Sequence, residues 1–252
     1  KAELSFLDRD LLEKAATYAA RLQNAAAPGG RTLDQLRFTG RQAISNKNGA
    51  LAEADFAALI SLLPGDQDAW AGLSVAQMLQ QPKQWQERQT KQENATSSAI
   101  NAYLRSIGNI ERSRALDLIG TSLANRQQWK PAIKALRAGL ALDEQPGLRR
   151  RYDQMVAEHG FRIVDHTVAA DAAAPRICLV FSDKLQGNAD YAPYVSVTGS
   201  GTTAVETEGS QICIDGVMHG ERYRLTVRSG LPASDGEVLE KSAELNIYVR
   251  DR

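Results

Sequence analysis

The period of the apolar residues changes near residue 160, and this change constrains the fold more than any other feature of the chain. Before Gly160, apolar residues recur at the three- and four-residue spacing of amphipathic helices, as in LLEKAATYAARLQNAAA. From Phe161 onward, apolar and polar residues alternate in short segments such as RICLVF and YRLTVRS, separated by Gly, Pro, Asn and Asp. The sequence therefore predicts a multidomain α + β protein, with a helical domain over 1–160 and a β domain over 161–252.

The helical part carries a repeated set of small and aromatic residues. Ala52, Phe56 and Pro64 are spaced by four and eight, and Trp70 and Leu73 follow where a next unit would begin. A further copy contains Ile119, Gly120, Leu123, Ala132 and Leu136. The pattern resembles the tetratricopeptide (TPR) repeat, in which a small residue admits the neighbouring helix and an aromatic residue fills the groove. We therefore expect three imperfect TPR-like units, about the minimum for a stable array.

The middle copy is longer than the others. The segment QPKQWQERQTKQENATSSAINAY separates the helix of Trp70 from a second helix carrying Ala99 and Tyr103. We expect a polar insertion of about a dozen residues to bulge from the stack at this point, because insertions in repeats usually map to loops. Trp85 lies inside this insertion, where no repeat position accounts for it.

A TPR-like array presents a concave groove to partner proteins. Polar residues of the first helix in each unit are the candidates for lining it. The predicted partner-binding residues are Asn46, Gln77 and Asn125, together with Trp85.

The β part has some seven short strands with turn residues between them, which favours an immunoglobulin-like antiparallel sandwich. Its apolar runs contain the chain's two cysteines, Cys178 and Cys213. By themselves these residues are equally compatible with a disulfide between facing strands and with two buried thiols.

Enzymatic chemistry has no support in the sequence. There is no G-x-S-x-G, H-E-x-x-H, C-x-x-C or P-loop motif, so we predict no catalytic residue, no metal ligand and no cofactor. Thirty basic residues balance thirty acidic ones, which argues against nucleic acid as a partner. No apolar run approaches the roughly 20 residues of a membrane-spanning helix, so we expect no membrane insertion by this chain.

The C-terminal part is similar to the first macroglobulin-like domain of bacterial α2-macroglobulins. The segments that carry the resemblance are FRIVDHTVAADAAAPRICLVFSDKL, DYAPYVSV, QICIDGVMHGERY, YRLTVRSGLPASDGEVL and LNIYVRDR, in this order. They include a link of the form G-x-x-H-G-x-x-Y at Gly216, His219, Gly220 and Tyr223. The preceding helices resemble the TPR-like region found before that domain in larger members of the family.

This resemblance implies an exported protein of the periplasm or cell envelope of a Gram-negative bacterium. The chain would be a non-catalytic N-terminal scaffold of a protease inhibitor, and the full-length protein would engage proteases. Neither cysteine is followed by the C-x-E-Q pattern that a thioester needs, so trapping chemistry would lie in other parts. The oxidising envelope would favour a structural disulfide between Cys178 and Cys213, on strands facing each other across the sandwich. The alternative is an adaptor whose helical groove binds a peptide or an envelope partner such as a cell-wall enzyme.

Overall fold

A computed structural model describes residues 4–25 and 29–251. The chain divides into two compact units, Lys1–Met155 and Val156–Arg252. The first unit is helical and the second is built mainly from antiparallel strands.

The described helices follow one another with short connections. They are α1 Arg9–Gln23, α2 Leu33–Ser45, α3 Gly49–Leu62, α4 Gln67–Met78, α5 Trp85–Arg105, α6 Asn109–Asn125, α7 Trp129–Leu142 and α8 Pro146–His159. Helix α2 packs on α3, α4 on α5, and α6 on α7, while α3 and α5 also contact the first helix of the following pair. Short connections between packed helices produce antiparallel neighbours. The helical unit is therefore a stack of three helix pairs, and α1 packs on α5 and α3.

Side chains of the turns fix where several helices begin. Thr32 and Gln35 form a reciprocal capping box at the start of α2, with hydrogen bonds of 3.2 and 2.9 Å. Asn48 accepts from the backbone N–H of Leu51 at the start of α3. These caps satisfy backbone donors that have no partner within the helix.

Glycines make close contacts with a large side chain both within a helix pair and between one pair and the next. A Cβ atom built on Gly40 of α2 would lie 3.0 Å from the Phe56 ring of α3, and one on Gly72 of α4 would lie 2.5 Å from the same ring. The third pair repeats this contact, because a Cβ on Gly120 would lie 2.5 Å from Cδ2 of Leu136. The helical unit is thus a TPR-like array, as the spacing in the sequence predicts.

The predicted bulge in the middle unit is wrong. Helix α5 is continuous over 21 residues, whereas α3 and α7 have 14 each. Ser74 donates to the carbonyl of Ala95 at 2.9 Å, and a Cβ on Gly120 would lie 3.2 Å from the carbonyl of Ala132. Ala95 therefore corresponds to Ala132, and the extra residues lengthen α5 at its N-terminus.

The sequence of this extension explains why it is helical. Its residues are mainly Gln, Glu, Arg and Lys, which are strong helix formers, and it contains neither Gly nor Pro. We call residues 85–91, the first two turns of α5, the α5 extension.

The second unit contains two antiparallel sheets around one core. Its strands are β1 Ile163–Val168, β2 Ile177–Phe181, β3 Val195–Thr198, β4 Ala204–Glu208, β5 Gln211–Asp215, β6 Arg222–Val227 and β7 Ala243–Tyr248. The four-stranded sheet has the order β1-β2-β5-β4, and the three-stranded sheet has the order β3-β6-β7. Apolar residues of both sheets, including Leu179, Ile212, Leu225 and Ile247, belong to the same buried cluster.

Two buried tyrosines hold the loops of this unit. The hydroxyl of Tyr223 on β6 donates to the carbonyl of Ser200 at 2.7 Å and accepts from the N–H of Met218 at 2.8 Å. The hydroxyl of Tyr191 donates to the carbonyl of Pro232 at 2.9 Å. Each ring is buried and each hydroxyl has backbone partners, which is the usual state of a buried tyrosine.

Cys178 and Cys213 form a disulfide within one sheet, so the expectation that it crosses between the two sheets is wrong. The residues are direct partners in the β2–β5 register, with Cα atoms 4.0 Å apart. Side chains alternate along a strand, and Ile177 and Leu179 on either side of Cys178 belong to the core. The cysteines therefore point to the opposite face of the four-stranded sheet.

Candidate functional site

Three of the four predicted partner-binding residues lie around two adjoining clefts of the helical unit. One cleft, of about 240 Å³, includes Gln77 and Asn125 in its lining. The other, of about 350 Å³, includes Trp85 and Asn125. We call the two together the amide cleft; it lies between the C-terminal ends of α4 and α6 and the N-terminal half of α5.

Primary amides dominate the lining of the amide cleft. Besides Gln77 and Asn125 they are Gln80, Gln81, Gln89, Gln92, Gln127 and Gln128. A primary amide both donates and accepts hydrogen bonds. The charged residues of the lining are Arg88 and Arg126, and no carboxylate belongs to it. The cleft thus combines neutral hydrogen-bonding groups with a positive charge.

Gln77 lies at the floor of this cleft and is not available to a partner. Its side chain is 1% exposed. Its Nε2 donates to the Tyr18 hydroxyl at 2.7 Å, and its Oε1 accepts from the Ser98 hydroxyl at 2.8 Å. Burial raises the pKa of Tyr18. The prediction that Gln77 lines an open groove is therefore wrong, because a buried amide must have its partners inside the protein.

Asn46 lies apart from the amide cleft. It is the exposed C-cap residue of α2, in the turn before α3, and its backbone N–H donates to the carbonyl of Gln42 at 3.0 Å. Neither cleft includes it in its lining. Asn46 is therefore not part of the amide cleft.

Glu53 of α3 ties the α5 extension to the rest of the helical unit. Its carboxylate accepts from Lys91 at 2.6 Å, from Gln80 at 2.6 Å and from Gln77 at 3.2 Å. Burial acts to raise the pKa of Glu53, but the hydrogen bonds from Lys91, Gln80 and Gln77 outweigh it, and the pKa is lowered from its ordinary value of 4.5. The carboxylate is thus held in its charged form next to the cleft.

The Glu53 contacts predict an acid-dependent loss of stability. A carboxyl with a lowered pKa in the folded state stabilises that state above its unfolded pKa, and this contribution is lost as the pH falls through the folded pKa. Replacing Glu53 with Gln is therefore expected to reduce the dependence of unfolding free energy on pH below about 4.5. Urea unfolding at several acidic pH values, followed by helical circular dichroism, measures this. Glu87→Gln, on the exposed side of the α5 extension, is the control, and an equal change in both variants would contradict the prediction.

Trp85 and Arg88 are exposed residues of the α5 extension. Trp85 is 64% exposed. The guanidinium of Arg88 makes no hydrogen bond or ion pair within residues 4–25 and 29–251. Arg126 lies deeper, 3.7 Å from Glu93 and 3.4 Å from the Thr96 hydroxyl. The outer rim therefore offers an indole and a free cation to solvent.

A second surface is formed by the first helices of the pairs, and we call it the first-helix face. Arg41 of α2 reaches Asp68 of α4 at 3.4 Å, and both side chains are exposed. Arg151 of α8 donates to Asp117 of α6 at 2.9 Å. Ala71 and Val75 of α4 and its C-cap residue Leu79 follow Asp68 at spacings of three and four, so they lie on the same side of the helix. Ala71 and Val75 are half-buried, and Leu79 is exposed. The face thus has an apolar stripe that continues from the exposed Arg41–Asp68 ion pair.

The described residues give no sign of a metal site or a membrane span. Residues 4–25 and 29–251 contain no group of three His, Cys, Asp or Glu side chains placed to hold a metal ion. Among the helices assigned in this part of the chain, none is long and apolar enough to cross a membrane.

The chain has no match among protein-family models or curated proteins. Among solved structures it resembles a thermophilic TPR protein of Thermus thermophilus, with 18% identity and a TM-score of 0.47 over 63% of this chain and 83% of that one. It also resembles the TPR2B domain of yeast Sti1 in a pHsp70 complex, with 16% identity and a TM-score of 0.41 over 50% of this chain and 94% of that one. The S-layer protein rSbsC(31-844) aligns with 95% of this chain and 33% of its own, with 13% identity and a TM-score of 0.33. These identities and TM-scores are too low to carry an assignment. The TPR-like assignment depends instead on the contacts at Gly40, Gly72 and Gly120.

Proposed function

We propose that this protein is a non-enzymatic adaptor that binds an extended segment of a partner protein on the first-helix face. The observation that carries the proposal is the apolar stripe of α4 beside the exposed ion pair between Arg41 of α2 and Asp68 of α4. Helical-repeat arrays use surfaces of this kind to bind other proteins.

The ion pair between Arg41 and Asp68 on the first-helix face can be broken by a partner at a small cost in free energy. Arg41 and Asp68 are 61% and 67% exposed, and an exposed ion pair contributes only about 0–1 kcal/mol to stability. A partner carboxylate can therefore take the place of Asp68 beside Arg41. The stripe of Ala71, Val75 and Leu79 would bury an apolar side chain of the same segment. The occupant that fits is an extended peptide with an apolar residue flanked by acidic and basic ones.

For the second unit we propose an immunoglobulin-like sandwich that serves as a structural module. The support is its strand order: lettered A to G along the chain, the sheets are ABED and CFG, as in constant-type immunoglobulin domains. The disulfide supports an oxidising compartment, so we propose a periplasmic or envelope location. Membership of the α2-macroglobulin family, with proteases as partners of a longer protein, remains a proposal that rests on the sequence segments alone.

A selection from a random peptide library tests the adaptor function. Peptides that bind the whole chain are selected and their dissociation constants are measured by calorimetry. Val75→Glu is expected to weaken binding of the selected peptides about tenfold or more, because it places a charge where an apolar side chain must be buried. Arg88→Gln, in the amide cleft, should leave these constants unchanged. Selected peptides that bind the Val75→Glu variant as tightly as the original chain would exclude the first-helix face.

A further inference from the structure

We propose that the amide cleft is a binding site for an anionic saccharide chain, separate from the first-helix face. The inference combines three observations on the same rim: unpaired amides, an exposed indole and an unpaired guanidinium. It stands independently of the adaptor function.

The amides of the rim are free to bind a ligand. Within the part of the chain that the structure describes, the side chains of Gln81, Gln89, Gln127 and Gln128 make no hydrogen bond, and these residues belong to the lining. Gln92 uses its Nε2 on the carbonyl of Asn125 at 3.1 Å and keeps its oxygen available. Saccharide hydroxyls are both donors and acceptors, as are these amides. A row of free amides therefore matches a chain of hydroxyl-bearing rings.

The indole of Trp85 supplies the apolar contact that a sugar ring needs. Its 64% exposure is high for a tryptophan, whose large ring is usually well buried. An aromatic face carries negative charge density and attracts partly positive hydrogens, such as the C–H groups on one face of a pyranose. Trp85 begins the two-turn α5 extension, which the other second helices, α3 and α7, lack. Its ring therefore lies outside the helix stack, at the mouth of the cleft.

The charge of the lining selects an acidic sugar. Arg88 and Arg126 belong to it and no carboxylate does, but Glu93 lies 3.7 Å from Arg126, so the charge that is open to a ligand is that of Arg88. Hydrogen bonds between a guanidinium and a carboxylate or sulfate are stronger than neutral ones. Arg88 has no protein partner among the described residues to displace, so its guanidinium is ready for an acidic group on the ligand.

A peptide is a poorer fit to this cleft. Peptide binding depends on apolar or aromatic anchors that enter well-packed pockets. Besides the exposed Trp85, the apolar lining is Met78 and Ala95, and Ala95 is 1% exposed. The cleft therefore lacks apolar pockets for anchoring side chains, whereas a saccharide does not require them.

Titration of the whole chain with defined oligosaccharides tests this site. The probes are oligomers of galacturonate, alginate, hyaluronan and heparin as anionic chains, a cello-oligosaccharide as a neutral chain, and hexaglutamate as an acidic peptide. We expect at least one anionic saccharide to bind with a micromolar to millimolar constant that rises with salt, and to bind more tightly than the other two probes. Trp85→Ala and Arg88→Gln should each weaken this binding about tenfold, the loss typical of a stacked ring or a charged hydrogen bond.

Matched variants separate the site from a general surface effect. Phe38→Ala removes an aromatic ring that is 66% exposed on α2, and Arg41→Gln removes an exposed cation there. Both should leave saccharide binding unchanged, as should Val75→Glu on the first-helix face. Failure of every anionic saccharide to bind, or binding that Trp85→Ala and Arg88→Gln leave intact, would overturn the proposal. Equal or tighter binding of hexaglutamate or of the neutral chain would overturn it as well.

Discussion

Replacing Phe56 with alanine is expected to lower the unfolding free energy of the helical unit by about 3–5 kcal/mol, which is the range for buried phenylalanines. Its side chain is 2% exposed. Cβ atoms built on Gly40 and Gly72 would lie 3.0 and 2.5 Å from the ring, so the ring fills the space between α2 and α4. The two helices have no side chains of their own at these points to close the cavity. Loss of the ring therefore removes contacts on both sides at once.

Phe38→Ala is the matched control for Phe56→Ala. The ring of Phe38 lies about two turns before the end of α2 and is 66% exposed. Substitutions at exposed positions usually change stability by less than about 0.5 kcal/mol. Urea unfolding followed by circular dichroism at the helical wavelength measures both variants. Similar midpoints for Phe56→Ala and Phe38→Ala would show that the Phe56 ring does not join the helix pairs.

Removal of the disulfide is expected to destabilise the second unit by about 3–4 kcal/mol in the chain-entropy model. Cys178 and Cys213 are separated by 35 residues, so the bond closes a loop of considerable size in the unfolded chain. The double substitution Cys178→Ala with Cys213→Ala removes this restraint. The second unit, with 97 residues by its bounds of 156–252, has a modest core, so this is a large share of its stability.

A reductant distinguishes the effect of the bond from that of two altered side chains. Urea unfolding of the second unit is followed by the circular-dichroism signal of its strands. The unfolding midpoint of the unsubstituted chain should fall when a reductant is added. The midpoint of the double variant should be low from the start and should not respond to the reductant. A midpoint of the unsubstituted chain that is indifferent to complete reduction would contradict the prediction.

Much of the architecture follows from local patterns in the sequence. The period of the apolar residues predicts helices before residue 160 and strands after it, because each element exposes its side chains with a period of its own. The small and large residues at Gly120, Ala132 and Leu136 predict a helix pair, since the contact between them lies within one repeat. These predictions need no information about distant parts of the chain.

The wrong predictions concern places where the local pattern is ambiguous. The polar residues of the α5 extension have no apolar stripe, so the periodicity gives no sign of a helix even though their helix propensity is high. Gln77 occupies a polar position of a first helix, but Tyr18 and Ser98 come from other helices and enclose it. Trp85 stood out in the sequence because no repeat position explained it, and the structure places it at the rim of the amide cleft.

The sequence by itself determined the kinds of elements, their order, the TPR-like pairing and the cysteines' place on two strands. Only the tertiary structure decided that Cys178 and Cys213 are direct neighbours in one sheet, because strand register depends on the partner strand as well as on the strand itself. The same holds for the amide cleft, whose residues come from α4, α5 and α6 and the turn after α6. These residues come together only when the helix pairs stack on one another, and this stacking is not encoded in any single segment.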